Sequence, residues 1–261
     1  MSLRLAHLSD IHFGGENGPA LAAARETVNA GAFDLLVVSG DLTRLGEPGE
    51  FAAARDWLAG LKGPRVVTPG NHDAPYLAWP ERIFAPFRRF EAAIGPARAQ
   101  TYVGEDLAVR GLNTARGIQP RLNWSKGQID PGQTREAVAW FAAAAPAAAR
   151  VLVCHHPLIE MVGGPMTGRV WGGEAAARAF AGAGIDLVLS GHIHAPFVWP
   201  YPFGDRRTYA VGAGTLSLRE RGCPAGFNLV DIERAAIRIA ALGWTGSRFE
   251  PYRTWSVERR T

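Results

Sequence analysis

Residues 3–12 read Leu-Arg-Leu-Ala-His-Leu-Ser-Asp-Ile-His, a short apolar run that ends in Ser9, Asp10 and His12. Apolar runs of this length are typical of strands that are buried on both faces of a sheet. The arrangement recurs along the chain, because the strands predicted at residues 35–38, 65–68, 151–154 and 185–189 are followed by Asp41, by Asn71 and His72, by His155, and by His192 and His194. Five strand ends therefore carry carboxylate, amide and imidazole side chains.

Helical patterns lie between these strands. They are predicted at residues 20–30, 51–61, 79–90, 133–144 and 174–181, and a further strand is predicted at 107–112. Pro19 and Pro48 precede the first two helical patterns, where proline is favoured at a helix start. Alternation of strands and helices favours an α/β fold in which the strands are at least partly parallel.

The pattern changes after about residue 205. Strands predicted at 209–213, 227–230 and 237–242 follow one another without clear helices, which predicts a second, antiparallel sheet region. We assign residues 1–242 to one domain and residues 243–261 to a C-terminal tail that packs on this domain or lies at an interface.

Composition limits the classes of protein to consider. The 261 residues carry a net charge of +4, and the basic residues are almost all arginine, without a run of like charges. Nucleic acid is therefore an open but not a favoured partner. Cys154 and Cys223 form no metal-type Cys-x-x-Cys motif. Two cysteines in a chain of this size do not make a disulfide scaffold, which favours a reducing, cytoplasmic location. No uninterrupted apolar stretch reaches 18 residues, so no membrane span is expected.

The polar strand ends predict a metal site. In open α/β sheets, ligands collect beyond the carboxyl ends of the strands. If extended geometry continues beyond the strand, Asp10 and His12 point to the same side, and so do His192 and His194. Each short motif alone is a weak signal, since Gly-Asp is common in turns. Their joint occurrence favours a site of mixed imidazole and carboxylate ligands, which suits Mn, Fe, Zn or Co.

The same blocks resemble the five signature motifs of the calcineurin-like metallophosphoesterases, most closely the bacterial class III cyclic-nucleotide phosphodiesterases. They are Asp10-x-His12, Gly40-Asp41, Gly70-Asn71-His72-Asp73, His155-x-Pro157 and Gly191-His192-x-His194. The resemblance implies an α/β four-layer α-β-β-α sandwich with two mixed β-sheets and a site for two divalent metal ions, with Mn and Fe favoured. It also implies that Asp10, His12 and His194 hold one metal, that Asn71, His155 and His192 hold the other, that Asp41 bridges both, and that His72 faces the phosphate.

The chemistry agrees with these implied roles. Two metals about 3.5–4 Å apart can clamp the attacking and leaving oxygens of a displacement at phosphorus, and they can activate a bridging water as hydroxide. His72 is then free to protonate the leaving oxygen or to stabilise charge on the phosphoryl group, so His72 and Asp41 are the catalytic candidates.

Three residues are weaker candidates for contacts with the substrate or around the ligands. Asp73 either supports His72 or caps a turn, His156 either lines the pocket or packs as a strand-end histidine, and Asn113 either approaches the substrate or forms a turn. Residues 160–171 are glycine-rich. They indicate either a mobile loop that covers the site or a loop that only connects two elements.

The function favoured by the sequence is a metal-dependent phosphodiesterase acting on a cyclic nucleotide or a similar small phosphodiester. Related phosphodiesterases usually carry an acidic or amide residue at the position where this chain has Arg44. This difference leaves the identity of the substrate open. A nuclease, a sugar-nucleotide diphosphate hydrolase and a phosphomonoesterase on the same fold are alternatives. A non-enzymatic scaffold is disfavoured, because all the ligand positions are present. We also consider a homodimer as an assembly.

Overall fold

The computed structural model describes residues 2–146, 148–160 and 169–260. In this part of the chain the strands are β1 (Ser2–Leu8), β2 (Leu35–Ser39), β3 (Arg65–Thr68), β4 (Thr101–Val103), β5 (Leu107–Gly111), β6 (Ala149–Val153), β7 (Leu187–Ser190), β8 (Phe197–Pro200), β9 (Tyr209–Gly212), β10 (Gly226–Glu233), β11 (Ala236–Trp244) and β12 (Phe249–Glu258). They form two six-stranded mixed sheets, with the orders β12-β11-β10-β1-β2-β3 and β4-β5-β6-β7-β9-β8.

Six α-helices lie between the strands in the described part of the chain. They are α1 (Gly18–Ala30), α2 (Pro48–Ala59), α3 (Trp79–Phe84), α4 (Arg88–Ala93), α5 (Pro131–Ala142) and α6 (Gly173–Gly182). Local sequence explains where α1 and α5 begin, because Asn17 and Asp130 each accept a backbone N–H bond from the first turn through their side chains. None of the helices in these ranges combines the length and the apolar composition required to cross a bilayer.

An apolar layer lies between the two sheets. Alternate residues of β2 face opposite ways, as the two-residue period of a strand requires. Val37 packs in one cluster with Val151 and Leu189 of the other sheet. Leu36 and Val38 instead belong to the cluster on the outer face of the first sheet. Both faces of this strand are therefore buried, as its continuously apolar sequence predicts.

Helices cover the outer faces of both sheets. Leu21 of α1 and Phe51 of α2 pack on the first sheet. Phe141 of α5 and Phe180 of α6 pack on the second. The layers thus run helix, sheet, sheet, helix, which confirms the predicted four-layer α-β-β-α sandwich.

One predicted helix is wrong in its extent. Residues 79–90 form two short helices, α3 and α4, because the chain turns at Ala85 and Pro86. Proline has no backbone N–H to donate and disfavours helical geometry in the residue before it. Ala85 accordingly adopts φ −150° and ψ 57°.

The predicted separate antiparallel sheet after residue 205 is also wrong. Strand β9 joins the second sheet and runs parallel to β7. Strands β10, β11 and β12 are antiparallel, but they extend the first sheet, because β10 pairs with β1 through Leu5 and Val230. Residues 249–258 are strand β12 at the edge of that sheet, and the division of the chain after residue 242 stays a prediction. Most of the predicted cover at 160–171 lies outside the described residues.

Candidate metal centre

The candidate ligands lie where strands of both sheets end. Strands β1, β2 and β3 of the first sheet and β6 and β7 of the second each end immediately before one of the predicted blocks. Hydrogen bonds join these ends within each sheet, from Asp10 N to Gly40 O and from Gly191 N to His155 O, each at 3.0 Å. They also join the two sheets, because His192 N donates to Asp10 Oδ2 at 2.9 Å. The site therefore lies between the two sheets and not at one edge of a single sheet.

The backbone at these residues is left-handed, not extended. Among the described residues that are not glycine, seven have a positive φ, and five of these are candidate ligands: Asp10 (52°), His12 (53°), Asp41 (52°), His192 (68°) and His194 (61°). The predicted reason for convergence, a continued extended strand, is thus wrong. Each such conformation costs about 1–3 kcal/mol and persists where the surrounding structure holds it, typically at functional sites.

Asp10, His12 and His194 lie close enough together to form a first group of candidate ligands. Asp10 Oδ2 accepts hydrogen bonds from Ser9 Oγ at 2.6 Å and from His192 N at 2.9 Å. Its other oxygen, Oδ1, lies 3.0 Å from His194 Nε2 and 3.8 Å from His12 Nε2. One oxygen of Asp10 is thus fixed by the protein while the other faces two imidazoles.

The hydrogen bonds of three histidines determine which ring nitrogen is free. Nδ1 of His12, His155 and His194 lies 3.3, 2.8 and 2.7 Å from the backbone oxygens of Thr43, Ser39 and Arg219, respectively. A carbonyl oxygen only accepts, so each Nδ1 carries the proton and donates it. Each Nε2 is therefore the ring nitrogen that faces the site and that can bind a metal once it carries no proton, the arrangement that orients metal-ligating histidines.

Asp41 lies between the two groups of ligands. Its Oδ1 accepts the backbone N–H of His72 at 2.8 Å. Its Oδ2 lies 3.2 Å from His155 Nε2 and 3.8 Å from His12 Nε2. Gly70 packs directly against this carboxylate, and a Cβ atom at that position would overlap Asp41 Oδ1. The carboxylate is therefore held with one oxygen facing both groups.

His155, His192 and Asn71 are the candidates for the second group of ligands. The rings of His155 and His192 lie 5.1 Å apart. Asn71 is buried at the start of a single 3-10 turn, Asn71–Asp73, that follows β3. Within the described residues, Asn71 Oδ1, His155 Nε2 and Asp10 Oδ1 are buried atoms without a hydrogen-bond partner.

These atoms fit a cation. Imidazole Nε2 atoms face carboxylate oxygens at 3.0–3.2 Å in two places, Asp10 with His194 and Asp41 with His155. Two acceptors at this distance repel unless a proton or a metal lies between them. In the protein alone, burial opposes charge on His155, but the Asp41 carboxylate outweighs it and raises the pKa of His155 to about 9. Metal binding replaces such a proton.

His72 lies at the open side of the centre. Its Nδ1 donates to Arg44 O at 2.7 Å, and its Nε2 lies 3.5 Å from Arg219 Nη1. The His72 ring meets the His12 ring edge-on at 4.8 Å. A cleft of about 490 Å³ opens here, lined by His12, His72, Arg44 and Arg219 among others. The cleft thus combines two imidazoles with two guanidinium groups, which suits an anionic ligand.

Asp73 joins two of the loops that carry ligands. Its carboxylate accepts hydrogen bonds from the backbone N–H groups of Leu42, Thr43 and Gly70 and from Thr43 Oγ1. Burial and the charge of Asp41 raise the pKa of Asp73 to about 6. Of the two predicted roles, these contacts support the turn cap, because His72 is oriented by Arg44 and not by Asp73.

Replacement of Asp73 by alanine is expected to destabilise the fold by about 3 kcal/mol, since it leaves three buried N–H groups without an acceptor. Thermal unfolding of Asp73→Ala against wild type measures this loss. Asp56→Ala is the matched control, because the Asp56 side chain is exposed. Equal melting temperatures for Asp73→Ala and the control would contradict the structural role.

The other two weak candidates are engaged within the protein. His156 Nδ1 lies 2.9 Å from Thr114 Oγ1 and its Nε2 lies 2.8 Å from Ser125 O, so both ring nitrogens have partners. His156 nevertheless packs on His155 and His192 and belongs to a group of histidines close enough to bind a metal. Asn113 Oδ1 accepts the N–H of Ala115 at 2.9 Å, as in a turn.

The structure adds residues that the sequence did not indicate. Arg219 contributes a carbonyl to His194 and a guanidinium beside His72. Tyr76 stacks on His72 with a ring separation of 5.3 Å. Arg219 lies in an irregular segment without a motif, and the orienting groups of Ser39 and Thr43 are backbone oxygens, so no side-chain pattern could have identified them.

The comparisons with known proteins agree with this geometry. Residues 3–196 match the family model described as calcineurin-like phosphoesterase. The chain is 26% identical over 251 residues to a probable cyclic nucleotide phosphodiesterase of Synechococcus sp., covering 89% of each protein. It is 38% identical over 82 residues to a glycerophosphodiester phosphodiesterase of Enterobacter lignolyticus, covering 26% of this chain and 29% of that protein.

A solved structure shows the same fold. The crystal structure of a dimetal phosphatase from Danio rerio superposes with a TM-score of 0.71, covering 99% of both chains at 11% identity. At that identity the likeness concerns the fold alone. The family model, in contrast, spans all five ligand-bearing blocks up to residue 196. The chain is therefore a phosphoric ester hydrolase that belongs to the calcineurin-like phosphoesterase family.

Proposed function

We propose that the chain is a two-metal phosphodiesterase that hydrolyses a cyclic nucleotide or a similar small phosphodiester. The observation that carries the proposal is the position of Asp41 Oδ2, which faces His155 Nε2 at 3.2 Å and His12 Nε2 at 3.8 Å. A carboxylate oxygen shared by two groups of ligands is suited to bridge two metals. The two curated relatives, both described as phosphodiesterases, support the choice of a diester.

We assign the candidate ligands to two ions as the family resemblance implies. Asp10, His12 and His194 would hold one ion, and Asn71, His155 and His192 would hold the other, with Asp41 shared. When bound, a pair of divalent ions polarises phosphoryl oxygens and lowers the pKa of a water. Nitrogen and carboxylate ligands suit Mn or Fe, with Zn or Co as alternatives.

His72 acts on the substrate and not on the metals. Its Nδ1 is engaged with Arg44 O, so Nε2 is the ring nitrogen that faces the cleft and through which a proton can pass to a leaving oxygen. Arg219 Nη1, 3.5 Å from Nε2, adds positive charge where the phosphate carries negative charge. His72 and Arg219 together position and stabilise the phosphoryl group.

A substrate panel tests the proposal. One manganese-loaded preparation is assayed with bis(p-nitrophenyl) phosphate, 3′,5′-cyclic AMP, 2′,3′-cyclic nucleotides, glycerophosphodiesters, phosphomonoesters, UDP-sugars and DNA. We expect the small diesters to have the highest kcat/KM and a chelator to abolish turnover. Faster hydrolysis of monoesters, UDP-sugars or DNA than of every small diester would refute the proposed substrate class.

A further inference from the structure

A second cleft, of about 450 Å³, adjoins the candidate metal centre; we call it the aromatic cleft and define it by Tyr76, Trp79, Arg82, Asn123, Trp124 and Ser125. On one side, the Tyr76 ring stacks on the His72 ring at 5.3 Å and 19°. On the other side, Ser125 O accepts the Nε2 proton of His156, whose ring lies 4.5 Å from that of His192. Both sides of the cleft thus contact histidines of the centre.

The cleft presents flat aromatic surface to solvent. Trp79 meets Trp124 edge to face at 5.6 Å, yet Trp79 remains 53% exposed. The Arg82 guanidinium carbon lies 5.0 Å from the ring centre of Tyr76 and 5.8 Å from that of Trp124. These rings are therefore held in place by their neighbours while one indole keeps an open face, as expected of a stacking surface.

We infer that the aromatic cleft binds the planar base of a nucleotide phosphodiester whose phosphate lies at the metal centre. The inference rests on the proposed function and narrows its substrate class to diesters that carry a heteroaromatic base. The cleft volume is in the range of small-molecule sites, and every nucleobase has a face that can stack on an indole. The Oδ1 of Asn123, beside Trp124, accepts hydrogen bonds from Ser125 N and Ser125 Oγ, so its NH₂ group is the part that can donate to the edge of a base.

A single base fits the cleft better than a nucleic acid strand does. A strand requires a track of basic side chains that remain free to contact successive phosphates. Arg82 supplies the positive charge of this cleft, but it is buried and its Nη1 donates to Ala74 O and Pro75 O. The guanidinium therefore supports the rings and is not directed outward to a phosphate backbone.

The test compares tryptophan variants on two classes of diester. Trp79→Ala and Trp124→Ala are assayed with 3′,5′-cyclic AMP and with glycerophosphoethanolamine, which has no aromatic group. Trp199→Ala is the matched control, because Trp199 is 54% exposed and lies on β8, outside the cleft. Binding of AMP to the metal-free proteins by calorimetry gives a readout that does not depend on turnover.

We expect Trp79→Ala and Trp124→Ala each to raise KM for cyclic AMP at least tenfold and to weaken AMP binding. Their KM and kcat for the alkyl diester should stay within twofold of wild type. The KM, kcat and AMP affinity of Trp199→Ala should also stay within twofold. Trp124→Phe is expected to retain most of the affinity. Unchanged KM for cyclic AMP, or an equal rise for the alkyl diester, overturns the inference. Tighter binding of longer oligonucleotides overturns the single-base assignment.

The two proposals can fail separately. Wild-type turnover of alkyl diesters with no turnover of nucleotide diesters overturns the aromatic cleft as a base site and leaves diesterase chemistry intact. If the wild-type protein hydrolyses no diester, the proposed function fails. The AMP titrations of the variants then decide on their own whether the aromatic cleft binds a base.

Discussion

The Asp41→Asn variant is expected to retain less than one metal ion per chain, against about two for wild type, after loading with manganese and removal of free metal. Asparagine keeps the shape of the side chain, and its amide oxygen can still accept the backbone N–H of His72, as Asp41 Oδ1 does. Its NH₂ group then replaces Oδ2 opposite His12 and His155. An amide nitrogen donates protons and has no lone pair for a metal, so both ions lose their shared ligand.

The hydrolytic activity of Asp41→Asn is expected to fall together with its metal content. We expect kcat on bis(p-nitrophenyl) phosphate to drop by roughly 10³-fold or more, because the lost polarisation of the phosphate is worth several kcal/mol. Metal content is measured by inductively coupled plasma mass spectrometry, with Asp56→Asn as the control for the same chemical change at an exposed site. Two ions per chain in Asp41→Asn would contradict the bridging role.

The His72→Ala variant is expected to lower kcat by roughly 10²–10⁴-fold, as loss of a general acid does, with both metals retained. The comparison of leaving groups is the sharper readout. Release of p-nitrophenolate requires little protonation, so bis(p-nitrophenyl) phosphate should lose less activity than a cyclic nucleotide, whose leaving group is an alkoxide. Both substrates are assayed on the same metal-loaded preparation.

Metal content decides between the two roles open to His72. The ligand atom of His72 lies within 4.8 Å of those of His12 and Asp41, close enough to bind a metal. Loss of an ion from His72→Ala would make His72 a ligand and would contradict its assignment to the substrate.

The sequence predicts where the candidate ligands lie in the fold, because they follow strand ends. Asp41 and His155 come directly after apolar runs that the sheets bury, and the carboxyl ends of such strands converge. The layer order and the proposed division of ligands between two metals come from the family resemblance and not from periodicity.

The sequence predicts the local geometry less well. Asp10 and His12 converge through left-handed backbone, with φ of 52° and 53°. Tertiary hydrogen bonds hold this conformation, and no residue pattern in the sequence predicts it. Arg219 enters the site from the segment between β9 and β10, remote in sequence from every motif. Pro86 was visible in the sequence as a helix breaker, so the split of residues 79–90 into α3 and α4 could have been predicted.

Anomalous diffraction from crystals of the manganese-loaded protein, measured at the manganese edge, tests the account most directly. We predict two peaks about 3.5–4 Å apart on either side of the Asp41 carboxylate, one beside Asp10, His12 and His194 and the other beside Asn71, His155 and His192. A single peak, or peaks remote from Asp41, would contradict a centre built on one shared carboxylate.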